Sequence, residues 1–179
     1  MAMCLSKGPI VLAIYGPSCV GKSTLARELG RKLGIEVRHC GEALKVHAIE
    51  QGIALNSIPS TVHQSIDEET RRQARQACGT VVIEGRYLDF VLSGIPSVRF
   101  IRLTSDEATR KFRYSMRKNK SVRPRALQEE DEDDARMREL LYSGVTRAPE
   151  DWMSLNTTQH APHELAATVL ARIQRGWDD

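Results

Sequence analysis

The chain opens its regular patterning with Ile10-Val-Leu-Ala-Ile-Tyr15, an unbroken apolar run rich in β-branched residues. Such a run fits a strand covered on both faces, as in a parallel sheet. Gly16 ends it. From Lys22 to Leu33 the period becomes helical: Leu25, Leu29 and Leu33 share one face, while Arg27, Glu28, Arg31 and Lys32 lie elsewhere and Gly34 is the stop. The opening unit is therefore strand, glycine loop, helix. Ile35 to His39 reads as a second, short strand, Glu42 to Gln51 as a helix closed by Gly52, and Asp67 to Cys78 as a polar helix closed by Gly79. Gly52 to Ser65 carries no clear pattern.

Further strands are predicted at Thr80 to Ile83, ending in Glu84-Gly85-Arg86, and at Val98 to Leu103. A helix follows from Asp106 to about Lys118, and Pro124 breaks the next stretch. Another helix spans about Gln128 to Tyr142. A last strand at Met153 to Asn156 precedes a terminal helix with Leu165, Val169 and Ile173 on one face. Strands alternating with helices predict an α/β fold, a parallel sheet covered on both faces with its ligand site at the carboxyl ends of the strands.

The 179 residues suit one domain, and 41% hydrophobic with 27% charged residues is an ordinary globular composition. No apolar run is long enough to span a bilayer, and Ile10 to Tyr15 is too short for the core of a secretion signal. Cys4, Cys19, Cys40 and Cys78 are scattered without a C-x-x-C pair, which fits reduced thiols. His160 and His163 have metal-ligand spacing but no partner nearby in sequence, and read as surface histidines. The expected location is the cytoplasm.

A net charge of +3 calls for neither nucleic acid nor membrane as a partner. Locally the balance is uneven. Ten Lys or Arg lie between Arg99 and Arg125 against Asp106 and Glu107 alone, and six consecutive acids run from Glu129 to Asp134. The acidic run reads as a solvated helix face.

Gly16-Pro-Ser-Cys-Val-Gly21-Lys22-Ser23 matches the phosphate-binding pattern G-x-x-x-x-G-K-[ST], between a buried strand and a helix as that loop requires. Its glycines let backbone N–H groups turn inward around a phosphate at the positive end of the helix. The expected ATP site comprises Gly16, Ser18, Cys19, Val20, Gly21, Lys22, Ser23 and Thr24. Lys22 can reach the β and γ phosphates, and the Ser23 hydroxyl can ligate Mg²⁺. Glu84, directly after a strand, is the candidate acidic partner for that metal. The guanine-reading motif N-K-x-D is not met by Asn119-Lys120-Ser121-Val122, and the chain is too small for a nucleic-acid translocase. A small kinase fits best.

Gly16 to Thr24, His39-Cys-Gly41-Glu-Ala-Leu-Lys45, Val81-Val-Ile-Glu84-Gly85-Arg86, the basic stretch from Arg110 to Arg125 and Asn156-Thr157 follow one another as in cytidylate kinases. The sequence thus resembles that branch of the P-loop nucleoside-monophosphate kinases over most of its length. The resemblance implies a five-stranded parallel sheet flanked by helices in a single kinase domain, with an acceptor-binding segment at about 41–78 and a mobile lid at about 113–130. It implies an acceptor site around Gly41, Glu42, Lys45, Asp67 and Arg86, with Lys45 and Arg86 on the acceptor phosphate. The chain departs from the family at Leu44-Lys45, where an aromatic-Arg pair is usual, and at Glu129, where an arginine is usual. Lysine keeps the charge but loses the bidentate fork.

Arg110, Arg113 and Arg117 recur at helical spacing on one face, with Ala108, Phe112 and Met116 along another. Beside a P-loop this stripe suggests a lid whose arginines neutralise the transferring phosphoryl group, and Lys22, Arg113 and Arg117 are the catalytic candidates. The expected activity is Mg²⁺-dependent transfer of the ATP γ-phosphoryl group to a small-molecule acceptor, CMP or dCMP foremost, by a monomer or weak homodimer. Two alternatives stay open. One is a kinase for a hydroxyl of a small metabolite or antibiotic, with Glu42 or Asp67 as base. The other is a nucleotide-binding regulator without turnover.

Overall fold

A computed structural model of the chain describes residues 9–116, 127–148 and 150–175. Arg117 and the central part of the expected lid lie outside the described residues. Five strands, β1 (Val11–Tyr15), β2 (Val37–His39), β3 (Val81–Glu84), β4 (Val98–Thr104) and β5 (Met153–Asn156), pair in parallel in the order β2-β3-β1-β4-β5. The helices are α1 (Lys22–Leu33), α2 (Cys40–Gln51), α3 (Ser60–Arg75), the single turn α4 (Leu88–Val91), α5 (Glu107–Ser115), α6 (Leu127–Tyr142) and α7 (Pro162–Arg175). The five-stranded parallel α/β architecture expected from the sequence is present.

The central strand is buried along its whole length, which explains its unbroken apolar run. Its side chains alternate between two cores. Leu12 and Ile14 meet Leu25 and Leu29 of α1 and Leu165, Val169 and Ile173 of α7, while Val11, Ala13 and Tyr15 meet Ala74 of α3, Leu88 and Val91 of α4 and Tyr142 of α6. Burial of each large side chain contributes on the order of 1.5–3 kcal/mol. The carboxyl end of β1 is thereby held from both faces, and the loop that it feeds starts from a fixed point.

The third helix begins at Ser60, ahead of the predicted Asp67, and ends at Arg75 rather than Cys78. Its buried face is carried by Thr70 and Ala74, small residues that leave a weak apolar signal among Ser, Gln, His, Glu and Arg. The turn α4 was not visible in the pattern. Its amides are satisfied by Tyr87, whose carbonyl accepts from Phe90 and Val91. The acidic run is not simply a solvated face. Its Asp134 is buried, because α6 turns that edge toward the arginines of the site. Among the described residues, no helix is long and apolar enough to cross a membrane.

Candidate active site

The phosphate loop leaves β1 at Gly16, whose φ of 144° and packing both require glycine: a Cβ there would stand 2.5 Å from the Leu103 carbonyl oxygen. Gly21, with φ of 101°, caps the start of α1, and Cys19 takes a φ of 60° although it carries a buried side chain. Left-handed positions in close succession wrap the backbone around the helix N-terminus, the geometry that gathers amides toward an anion. Lys22 donates from Nζ to the carbonyls of Gly16 (2.9 Å) and Pro17 (2.7 Å), so its charge is folded back over the loop. Val20 is fully buried and anchors the loop from below.

Ser23 and Glu84 come together as the sequence suggested. Ser23 Oγ donates to Glu84 Oε1 at 3.1 Å, with Glu84 at the end of β3 beside Ile14 of β1. A hydroxyl and a carboxylate at a P-loop are hard oxygen donors suited to a hydrated Mg²⁺. His39, the last residue of β2, reaches the same carboxylate: Nδ1 lies 2.9 Å from Oε1. Nothing in the spacing of the motifs pointed to that contact.

A cavity of about 200 Å³ opens beside the loop, lined among others by Gly16, Arg86, Tyr87, Arg110, Asp134 and Arg138. Arg110 donates from Nε to the Ser18 carbonyl at 2.9 Å and pairs with Asp131. Arg86 pairs with Asp134, and Glu130 accepts from the Ser18 hydroxyl. One edge of α6 therefore places three carboxylates against the loop and the two arginines beside it. Burial pushes the Asp134 carboxyl above its ordinary range, against the pull of Arg86. Arg113 sits differently. It donates to Thr157 Oγ1 (2.8 Å), to the Thr157 carbonyl (2.6 Å) and to the Val20 carbonyl (3.3 Å), behind the loop and outside the cavity lining.

On the acceptor side, Gly41, Glu42 and Lys45 stand exposed along α2 and do not line the cavity. Asp67 of α3 accepts from the hydroxyl of Tyr142, and burial raises its carboxyl to about 6 despite that bond. Tyr142 stacks on Phe90 and tilts against Tyr87, whose hydroxyl lies 3.3 Å from Asp134 Oδ1. Arg138 lies over the Tyr87 ring at 6.0 Å. Arg86 and Asp67 thus flank an aromatic wall, while Lys45 is not brought to Arg86. Sequence reasoning missed Tyr87, Asp134, Arg138 and Tyr142. Only Tyr87 carried a signal, standing directly after Glu84-Gly85-Arg86.

The chain is similar to several known proteins. A cytidylate kinase of Methanothrix thermoacetophila is 29% identical over 143 residues, spanning 75% of this chain and 80% of that relative. Among solved structures, the chain is similar to a shikimate kinase from Acinetobacter baumannii in complex with shikimate, at 17% identity and a TM-score of 0.63 over 96% of each chain. It is also similar to a gluconokinase from Sinorhizobium meliloti 1021, at 16% identity and a TM-score of 0.63 over 95% of this chain and 94% of that one. At such identities these two structures speak for the fold alone. The family model described as AAA domain matches residues 12–138, well over half of the 179 residues. With that match laid over the phosphate loop, the parallel sheet and the arginine-bearing helices, the protein belongs to the AAA domain family and shares the fold of those P-loop proteins.

Proposed function

We propose that the protein transfers the γ-phosphoryl group of ATP to a nucleoside monophosphate, with CMP or dCMP as the favoured acceptor, in the cytoplasm and without nucleic-acid or membrane partners. One observation carries the reading: Arg86 and Arg110 line the same cavity beside the phosphate loop, one after β3 and the other on the Ser18 carbonyl. Two phosphate-bearing ligands meeting end to end need cations on both sides of the transferring group. A phosphate acceptor is already an anionic nucleophile, so positioning and charge neutralisation suffice. The acids at the cavity, Asp131 and Asp134, are each engaged by an arginine.

In the proposed reaction, an acceptor phosphate oxygen forms a bond to the γ phosphorus as the bond to the β–γ bridging oxygen breaks, and ADP leaves. Lys22, released from the Gly16 and Pro17 carbonyls, supplies charge to the β and γ phosphates, and Arg110 supplies it from the opposite side. Arg86, which lines the cavity, holds the acceptor phosphate, and Lys45, exposed on α2, takes no part in it. Arg113 keeps the back of the loop in place through Val20 and Thr157. Mg²⁺, when bound, neutralises charge on the phosphate oxygens, and Ser23 with Glu84 would hold it.

A hydroxyl acceptor is the second reading. It is favoured by Asp67, whose raised carboxyl stands on the acceptor side with a pKa suited to a general base. An ATP-consumption screen over monophosphates and hydroxylated metabolites separates the readings. Turnover with CMP or dCMP is the expected result. Turnover with unphosphorylated acceptors alone would replace it by the second reading, and nucleotide binding without turnover would indicate a regulator.

A further inference from the structure

The end of the second strand carries a residue that the phosphoryl-transfer scheme leaves unused. In the parallel register His39 stands beside Glu84, and both side chains are largely withdrawn from solvent, 18% and 9% exposed. Their nearest atoms, Nδ1 and Oε1, are 2.9 Å apart, while Ser23 Oγ lies 3.1 Å from the same Oε1. A carboxylate oxygen accepts, so the brace requires the His39 tautomer that carries its hydrogen on Nδ1. The Ser23 bond likewise runs from hydroxyl to carboxylate, which leaves the lone pairs of Oγ for a cation.

Two donors from two different elements, β2 and the first turn of α1, converge on one oxygen of Glu84. Neither of these contacts uses Oε2. Glutamate has one more rotatable bond than aspartate, and a carboxylate held only by Ser23 would have freedom to swing away from the loop. The His39 ring has two torsions and is fixed at a strand end, so its N–H is an effective brace. Partners of this kind behind a ligand commonly set metal affinity as strongly as some ligands do.

Resting on the kinase reading, we propose that His39 is a positioning residue that braces Glu84 beside Ser23, so that the pair holds the hydrated divalent cation of the bound nucleotide. Three substitutions separate this role from simple packing. His39→Asn keeps an N–H donor near the position of Nδ1, His39→Gln moves the donor toward the position of Nε2, and His39→Ala removes it.

The probe is Mn²⁺ binding to the protein complexed with a non-hydrolysable ATP analogue, followed by electron paramagnetic resonance. In parallel, affinity for the analogue is measured in EDTA. Mn²⁺ binding should loosen by about 10- to 100-fold in His39→Ala and His39→Gln and return to within a few-fold of wild type in His39→Asn. Affinity in EDTA should stay the same in all three, because the phosphates are gripped by the loop. Wild-type Mn²⁺ affinity in His39→Ala, rescue by Gln equal to that by Asn, or a parallel loss of affinity in EDTA would each overturn the brace. Failure of the wild-type protein to bind the analogue at all would instead overturn the kinase reading and the brace with it.

Discussion

Removing Arg86 should test stability and acceptor binding at once, and the structure allows the two to be separated. Asp134 is 8% exposed and its carboxylate pairs with the guanidinium of Arg86, whose side chain is 41% exposed; Glu130 lies 3.9 Å from the same guanidinium. Breaking a fully buried ion pair by deleting one partner costs about 3–5 kcal/mol, because the remaining charge is left uncompensated. Water at the open side of Arg86 screens this pair, so about 1–3 kcal/mol is expected for Arg86→Ala. Asp134→Asn should cost less, since its amide still accepts from Arg86 and Tyr87 and leaves no buried charge. The double variant should recover part of the Arg86→Ala loss, a coupling of about 1 kcal/mol or more between residues in contact.

Chemical denaturation at pH 7, with the slopes checked for constancy, measures all three. Lowering the pH should shrink the Arg86→Ala deficit, because a protonated Asp134 needs no counter-ion. Acceptor binding should follow a different order: lost in both Arg86 variants, but kept or strengthened in Asp134→Asn, where the guanidinium is released for a phosphate. Wild-type stability in Arg86→Ala, or Asp134→Asn as damaging as Arg86→Ala, would refute the buried-charge argument. Undiminished CMP binding by a folded Arg86→Ala would refute the acceptor role.

Two further substitutions probe the acidic helix and the acceptor wall. Asp131→Asn should tighten ATP-analogue binding by roughly 2- to 5-fold, the scale of a partly exposed ion pair, since Asp131 and a phosphate compete for Arg110; a titration showing weaker binding would mean that the carboxylate prepares Arg110 instead. Asp67→Asn should be more stable than wild type at pH 7–8, by about 1–2 kcal/mol, and indistinguishable from it near pH 4. The folded state holds the Asp67 proton more tightly than the unfolded chain, so this group's contribution is greatest at low pH and is lost as the pH rises from about 4 through about 6. A stability difference between Asp67→Asn and wild type that does not change with pH would contradict the burial argument, and loss of turnover in a folded Asp67→Asn would favour a hydroxyl acceptor.

Much of the site was legible in the chain because its signals are local. The phosphate loop needs glycines at positive φ within a few residues of one another, and Lys22 and Ser23 are fixed to it by adjacency along α1. The fully buried β1 shows as an apolar run, and Glu84 shows as the acid that ends β3. These features depend on backbone geometry and on burial within single elements, both of which leave a mark at short range in sequence.

Tertiary structure decided which side of each element meets the site. The acidic run of α6 carries no periodic sign that Glu130, Asp131 and Asp134 meet Ser18, Arg110 and Arg86, because those contacts join segments far apart along the chain. The arginine stripe of α5 looked uniform, yet packing turns Arg110 into the cavity and ties Arg113 to Thr157 behind the loop. His39 meets Glu84 through strand register, and Tyr142 at the end of α6 reaches across to Asp67 of α3 by one hydrogen bond. Side-chain hydrogen bonds act over about 3 Å, so which charges compensate one another is set by how the helices settle on the sheet.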